Sequence, residues 1–270
     1  MSISRTLSTH CWDRRRENDL RRRKNMEKTI IRLEEVGSTN DYLKGYKSAS
    51  EKDDSVVVVI ADYQTRGKGQ GSNSWESEAG KNLLMSIRVH PRYVPVRYQF
   101  FLSMAGALAV KDAVSGYVDG VTLKWPNDVY VGDRKLSGTL IETSVGQRQL
   151  KDCVFGVGIN VNQSVFRGDA PNPVSLFQLL GREVDREELA SKVVDAFERY
   201  CQMLRNGAYG DVSALYHLSL YRRKGFHYYK DADGEFEAEL VEVEDDGHLI
   251  LHDREGRIRS YAFKEVAYII

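Results

Sequence analysis

Several features that mark other protein classes are missing from this sequence. Its three cysteines are too few and too widely spaced for the disulfide framework of a secreted scaffold. The most apolar segment, residues 100–110, falls well short of the roughly 20 residues that a membrane-spanning helix needs. The N-terminal arginine clusters are not followed by an apolar run, which excludes a secretory signal. We therefore expect a cytoplasmic protein without a membrane segment.

Net charge is also absent, because 39 Lys and Arg side chains balance 39 Asp and Glu side chains. The overall balance therefore does not indicate DNA, a membrane surface or an acidic partner. The charge is uneven along the chain, since residues 1–25 hold eight basic and three acidic side chains. This basic arm has no apolar stripe, so we expect it to be disordered. The remaining residues are numerous and apolar enough for one sizeable core and a small appended domain.

Strand and helix patterns begin soon after the arm. A short strand over residues 30–33 precedes Ser38-Thr39-Asn40-Asp41, whose capping chemistry predicts the start of a helix. The β-branched run over 56–61 predicts a buried strand, which leads into a glycine-rich loop over 66–75. The further elements predicted in the large domain are strands at 82–89, 121–125, 128–131, 134–136, 140–143 and 153–160, and helices at 99–114 and 189–204.

The pattern of apolar and turn-forming residues changes after Tyr221. Short alternating strands are separated by Asp233-Gly234, Asp246-Gly247 and Glu255-Gly256, which predict tight turns and a small barrel. We therefore divide the chain into a basic arm (1–25), a large domain (26–220) and a small C-terminal domain (221–270).

The glycine-rich loop is the first candidate site. The run Gly67-Lys68-Gly69-Gln70-Gly71 matches neither a P-loop nor the GxGxxG dinucleotide pattern. Glycines allow backbone N–H groups to surround an anion, and Lys68 adds a positive charge. A flexible hairpin tip explains the same residues equally well, so the neighbouring segments must decide.

A second candidate lies in the predicted hairpin. If Lys124, Asp128 and Lys135 face the same side, two ammonium groups and one carboxylate meet there, a combination suited to phosphate chemistry. Asp128 could bind Mg²⁺ or orient a lysine. A surface salt-bridge cluster is the alternative for any Lys/Asp trio, although the adjacent Trp125-Pro126 argues against a plain solvated face.

Metal and thiol chemistry receive no support. His248 and His252 are explained better as side chains at a barrel edge than as metal ligands. Cys153 and Cys201 lie in apolar stripes, which predicts core packing. No GxSxG nucleophile elbow is present, so acyl-serine chemistry is not expected.

Taken together, the motifs resemble those of the biotin protein ligase family, in order and in spacing, over about residues 30–270. The segments that carry the resemblance are Gly37-Ser38-Thr39-Asn40, Gln64-Thr65-Arg66-Gly67-Lys68-Gly69, Lys124-Trp125-Pro126-Asn127-Asp128, Arg134-Lys135-Leu136-Ser137-Gly138 and Gly156-Val157-Gly158-Ile159-Asn160-Val161-Asn162. The resemblance implies an α/β (α+β) fold, with a mixed-sheet catalytic domain like that of class II aminoacyl-tRNA synthetases and a small SH3-like barrel at the C-terminus.

The same resemblance implies a two-step reaction. Biotin carboxylate attacks the α-phosphate of ATP to give biotinyl-AMP and pyrophosphate, with Mg²⁺ as the metal. A specific lysine of a biotin carboxyl carrier domain then attacks the adenylate and forms an amide. No membrane or specific DNA partner is implied for this chain, and a homodimer through the sheet edge is an open possibility.

The resemblance also assigns roles to residues of this sequence. The biotin ureido ring would meet Ser38, Thr39, Asn40 and Gln64. The loop Gly67, Lys68, Gly69 and Gln70 would surround the biotin carboxylate and the adenylate phosphate, with Gly138 close by. The catalytic groups implied are Lys135, Lys124, Asp128 and Lys68, with Asp128 as the candidate Mg²⁺ ligand, and the adenylate-side contacts implied are Trp75, Asn82 and Asn160.

Two departures from the family pattern carry predictions. The loop that is commonly GRGR in the family has Lys68 and Gln70 at the two arginine positions, so we expect weaker retention of biotinyl-AMP. Only about 25 residues precede the large domain, whereas a winged-helix domain needs roughly 60, so we expect no operator-specific repression.

Two other functions are compatible with parts of the pattern. A lipoate or octanoate protein ligase would share the fold and the lysine, but Lys124-Trp125-Pro126-Asn127-Asp128 and the terminal barrel favour biotin. A noncatalytic biotin-binding regulator would be expected to lose Lys135 or Asp128, and both are present.

Overall fold

The structure is a computed structural model that describes residues 28–47, 55–71, 73–146, 149–168 and 171–270. The basic arm predicted at 1–25 lies outside the described residues. Among those described, no helix combines the length and the apolarity that crossing a bilayer requires.

A seven-stranded mixed sheet forms the large domain. Its strands are β1 (Lys28–Val36), β2 (Val56–Gln64), β3 (Leu83–Val89), β4 (Val121–Lys124), β5 (Asp128–Val131), β6 (Arg134–Val145) and β7 (Leu150–Ile159). Their order across the sheet is β1-β2-β3-β7-β6-β5-β4. The pair β1 and β2 is parallel and every other neighbouring pair is antiparallel. The two segments predicted at 134–136 and 140–143 form one continuous strand, in which Leu136 is the extra residue of a β-bulge opposite Val129 and Tyr130.

Five α-helices accompany the sheet in the described part of the chain. They are α1 (Thr39–Gly45), α2 (Phe100–Ser115), α3 (Leu176–Leu180), α4 (Arg186–Arg205) and α5 (Tyr209–Leu218). The helices predicted at 99–114 and 189–204 are confirmed as α2 and α4. The sequence analysis missed α3 and α5, which are short and have weak apolar periodicity.

The main core fills the space between one sheet face and the helices α2 and α4. On β7, Cys153, Phe155 and Val157 point into this core, and Phe155 stacks on Phe197 of α4 with ring centroids 4.9 Å apart. Period-two alternation sends the residues between them to the opposite face. Val154 packs there against Leu43 of α1 in a smaller cluster. Helix α1 therefore covers the face that α2 and α4 leave open.

The C-terminal unit is a five-stranded antiparallel sheet in the order β11-β10-β9-β8-β12. Its strands are β8 (Phe226–Asp231), β9 (Gly234–Val243), β10 (Leu249–Asp253), β11 (Ile258–Tyr261) and β12 (Ala267–Tyr268). It contacts the large domain beside the predicted catalytic hairpin, where the Trp125 indole N–H donates to the Gly247 carbonyl at 2.9 Å.

Candidate active site

A polar pocket forms where α1 begins. Residues Val36 and Gln64 are paired in the parallel β1 and β2 register, so the chain leaving β1 and the end of β2 lie side by side. Ser38 caps α1 by accepting from the Asp41 N–H. The backbone N–H and the hydroxyl of Thr39 both donate to Gln64 Oε1, at 2.7 and 3.0 Å. Of the four residues predicted for the ureido ring, Thr39 and Gln64 are therefore hydrogen-bonded to each other, and Ser38 caps the adjacent turn.

The fourth residue, Asn40, is held from two directions. Its Nδ2 donates to Glu142 Oε2 of β6 at 2.8 Å. On the other side, the Ser86 hydroxyl of β3 lies 2.5 Å from Asn40 Oδ1 and 2.7 Å from Thr39 Oγ1. A Cβ on Gly156 would come within 2.4 Å of Asn40 Oδ1, so only glycine at that position leaves room for this amide.

Ser86 and Glu142 were missed by the sequence analysis. Ser86 is fully buried, and the available signal was a lone hydroxyl in the apolar run 83–87. Glu142 also forms an ion pair with Lys44 of α1. Because buried polar groups require partners, these two side chains define the hydrogen-bonding directions of the pocket.

The glycine-rich loop folds as a small hairpin over this face. Gly69 N–H donates to the Asn73 carbonyl at 2.7 Å, and Trp75 N–H donates to the Gly67 carbonyl at 3.0 Å. The Lys68 ammonium group lies 2.6 Å from Asp41 Oδ2 of α1. This hydrogen bond lowers the pKa of Asp41. Lys68 is therefore engaged by a carboxylate, and a ligand anion would compete with Asp41 for it.

The Trp75 side chain lies flat on the sheet above two paired glycines, Gly138 of β6 and Gly158 of β7. A Cβ on Gly158 would come within 2.5 Å of the indole, so a side chain there is incompatible with this position of the ring. Trp75 Nε1 and Gln70 Oε1 are buried without a hydrogen-bond partner among the described residues. Buried polar groups are rarely left unpaired, so a polar group of a ligand would satisfy these two atoms.

The two predicted catalytic residues of β5 and β6 are in contact. Lys135 Nζ lies 2.7 Å from Asp128 Oδ1, and both side chains are largely buried, with 24% and 16% of their side-chain surfaces exposed. The ammonium group lies 5.8 Å from the centre of the Trp75 ring. The ion pair and the indole therefore belong to one site, next to Gly138.

Lys124 lies opposite Asp128 in the β4 and β5 register. Its ammonium group lies 5.3 Å from the ring centre of Tyr130 and 4.8 Å from that of Tyr268, which belongs to the C-terminal unit. Burial lowers the pKa of Lys124, Asp128 opposes this shift, and Lys135 adds to it. The predicted convergence of two cations and one carboxylate is present.

Asn82 and Asn160 have structural bonds in this conformation. Asn82 is fully buried, accepts from the Val161 N–H at 3.0 Å and lies 2.5 Å from Gln163 Oε1. Asn160 donates to the Val174 carbonyl at 3.1 Å. Their role as adenylate contacts stays a prediction.

The structure supports the prediction that the cysteines pack in the core. Both Cys153 and Cys201 are buried, and burial raises the pKa of Cys201 to about 12. The one cluster of three possible metal ligands in the described part of the chain is Glu244, Asp246 and His248, on the exposed turn between β9 and β10.

The sequence is similar to those of known proteins. A model of the Biotin/lipoate A/B protein ligase family matches residues 33–160. The bifunctional ligase/repressor BirA of Bacillus spizizenii is 28% identical over 213 residues, which are 76% of this chain and 64% of that protein. The biotin--[acetyl-CoA-carboxylase] ligase of Mycobacterium tuberculosis is 36% identical over 176 residues, which are 64% of either chain. The match thus spans 64% of the length of these two relatives.

A solved structure shares the fold. The biotin protein ligase from Aquifex aeolicus in complex with biotin and ATP aligns with a TM-score of 0.73 and 24% identity, over 88% of this chain and 97% of that one. The mixed α/β fold fits the predicted catalytic domain like that of class II aminoacyl-tRNA synthetases. The fold is therefore one that a biotin protein ligase also has, and residues 33–160 resemble the biotin and lipoate protein ligases. The chain is thus similar to biotin protein ligases in sequence and in fold, as its motifs predicted.

Proposed function

We propose that this chain is an ATP-dependent biotin protein ligase, which activates biotin as biotinyl-AMP and transfers it to a lysine of a biotin carboxyl carrier domain. One observation supports this most directly. A polar pocket around Asn40 and a cationic group around Lys135 occupy the same sheet face, and the loop that ends at Trp75 lies over it. This arrangement suits a ligand with a small polar head at one end and an anionic group at the other.

The pocket suits the ureido head of biotin. Gln64, Asn40 and Thr39 provide amide and hydroxyl groups, and Ser86 and Glu142 orient them. A ureido group has both donors and acceptors, so an amide-rich pocket can satisfy each of them. We assign Ser38 to holding the start of α1.

The cationic end suits the adenylation step. A biotin carboxylate oxygen attacks the α-phosphorus of ATP, and the bond from that phosphorus to the bridging oxygen of pyrophosphate breaks. Lys135 and Lys124 reduce the repulsion between the two anions and stabilise charge on the phosphoryl oxygens. In the second step the acceptor lysine amine attacks the biotinyl carbonyl, and AMP leaves. Asp128, beside Lys135, is placed to orient that amine or accept its proton.

The residues present fit a Mg²⁺ ion that arrives with ATP. Asp128 is one carboxylate beside the two lysines, and Mg²⁺ in nucleotide sites is commonly held by one or two carboxylates together with substrate phosphates. The ion would neutralise phosphate charge. We also propose that residues 26–220 form the catalytic domain and that residues 221–270 close as an SH3-like barrel.

The test is a labelling reaction. We would incubate the chain with biotin, MgATP and a biotin carboxyl carrier domain, and measure the acceptor mass by mass spectrometry. The proposal predicts a gain of one biotinyl group that requires ATP and is lost in Lys135→Ala. A gain with lipoate but not with biotin would transfer the assignment to the lipoate ligases, and no gain with either would leave a binding protein.

A further inference from the structure

The Lys124 ammonium group has an unusual environment for a half-buried cation. Lys135 has a carboxylate partner in Asp128, and Lys68 has one in Asp41. Lys124 has no hydrogen bond or ion pair with any residue that the structure describes, and its contacts are the ring faces of Tyr130 and Tyr268. No described residue therefore takes up an N–H donor of this ammonium group.

Aromatic contacts differ from an ion pair because they leave the N–H donors of a lysine available. A ring face attracts a cation through its quadrupole and offsets part of the cost of removing the charge from water. A ring does not take up the N–H donors in the way that a carboxylate does. A lysine held by rings can therefore donate all its hydrogen bonds to an incoming anion.

One of the two rings comes from the other end of the chain. Tyr268 lies on β12, where it pairs with Tyr229 of β8, and the two rings are 5.0 Å apart. The adjoining residue is also fixed, because Ile269 N–H donates to the Tyr228 carbonyl and the Arg222 guanidinium donates to the Ile269 carbonyl at 2.8 Å. The position of the Tyr268 ring is thus set by the C-terminal unit.

We propose that Tyr268 is a positioning residue that holds Lys124 by its ring face, so that the C-terminal unit completes the anion-binding end of the active site. This inference rests on the proposed ligase function. The ring, and not the hydroxyl, carries the effect, since the buried Tyr268 hydroxyl has no hydrogen-bond partner among the described residues. A phenylalanine at position 268 should therefore still hold Lys124, whereas a leucine should not.

The experiment compares Tyr268→Phe and Tyr268→Leu in the full chain. We expect Tyr268→Leu to lower kcat/KM for ATP about tenfold in biotin-dependent pyrophosphate exchange, which corresponds to about 1.4 kcal/mol. We expect Tyr268→Phe to stay within about twofold of the wild-type rate, because the phenyl ring keeps the cation–π contact. Tyr228→Leu is the matched control, because Tyr228 is an exposed tyrosine on the same small sheet.

A double-mutant comparison separates positioning from simple stability. If Tyr268 acts through Lys124, Tyr268→Leu should change the exchange rate less than twofold in a Lys124→Met background. Equal losses in both backgrounds, or equal losses in Tyr268→Phe and Tyr268→Leu, would overturn the proposal. Thermal unfolding of each variant checks that the fold is intact.

Binding of inorganic pyrophosphate, measured by calorimetry without biotin or acceptor, separates this inference from the ligase assignment. If Tyr268→Leu weakens pyrophosphate binding and Tyr268→Phe does not, the positioning role holds even if the wild type forms no biotinyl-AMP. If the wild type forms biotinyl-AMP and Tyr268→Leu binds pyrophosphate as tightly as wild type, the inference fails and the ligase assignment stands.

Discussion

Replacing Gly158 by alanine should disable the site while leaving the fold largely intact. The new Cβ would lie 2.5 Å from Trp75 Cε2 and 2.8 Å from its Nε1. An ordinary contact between carbon atoms is about 3.5 Å, so the indole would have to move by about 1 Å. Trp75 is only half-buried and can shift towards solvent, whereas Gly158 lies in the middle of the sheet.

We therefore expect Gly158→Ala to lower the reaction rate more than the stability of the fold. A displacement of about 1 Å at a reacting site can lower a rate about 100-fold, and we expect a loss of that order in biotin-dependent pyrophosphate exchange. The free energy of unfolding should change by about 1 kcal/mol or less, because alanine in a strand is favoured over glycine by about 0.5–1 kcal/mol and offsets part of the strain.

The matched control is Gly210→Ala in α5, where a Cβ meets no heavy atom within 4 Å. This variant should keep the wild-type exchange rate. In a Trp75→Ala background, Gly158→Ala should have little further effect, because the clash has been removed. An exchange rate of Gly158→Ala within twofold of wild type would refute the reasoning, and so would an equal loss in both backgrounds.

Three further predictions follow from particular contacts. Lys135→Met should lower adenylate formation and transfer about 100-fold or more, while biotin affinity measured by calorimetry changes less than tenfold, because the amine acts on developing charge; a parallel loss of biotin binding would argue against that role. Gln70→Arg should slow the release of biotinyl-AMP several-fold in a filter or fluorescence assay, because it adds a cation where Gln70 Oε1 is unpaired; unchanged release would contradict it. Burial opposes ionisation of Asp253, but N–H groups of its own turn and the side chains of Arg259 and Arg257 hold its pKa below the unfolded value of 3.8. The stability that this carboxylate contributes should therefore be complete above pH 3.8. It should decline as the pH falls below 3.8 towards the lower pKa of the folded state. The gap in unfolding temperature between wild type and Asp253→Asn should therefore be larger at pH 6 than at pH 3, and a gap that does not narrow would show that the charge is not what stabilises the turn.

The residues that the sequence predicted correctly as neighbours are mostly close in the chain. Lys124 and Asp128 face each other because a short turn joins two paired strands, and the next turn returns the chain so that Lys135 reaches Asp128. Local rules of strand pairing are sufficient for such contacts. The start of α1 at Ser38 and Thr39 was predictable for the same reason, since capping is a property of neighbouring residues.

Contacts between distant segments could not be read from such rules. Ser86 and Glu142 reach Asn40 only because β3, β7 and β6 are neighbours in the sheet. The pairing of Lys68 with Asp41 depends on where the loop folds relative to α1. Neither strand order nor loop path has a local signature, because both follow from packing of the whole core.

By itself, the sequence determined the similarity to biotin protein ligases, the order of the motifs and the chemical types of the candidate site residues, because these are properties of short segments. Tertiary structure alone decided which of these groups are already paired and which are free. It engages Lys68 and Lys135 with carboxylates, and it encloses Lys124 between Tyr130 and Tyr268, a ring more than a hundred residues further along the chain. The physical reason is that the state of a buried charge depends on the groups within a few ångströms of it, and the fold selects those groups.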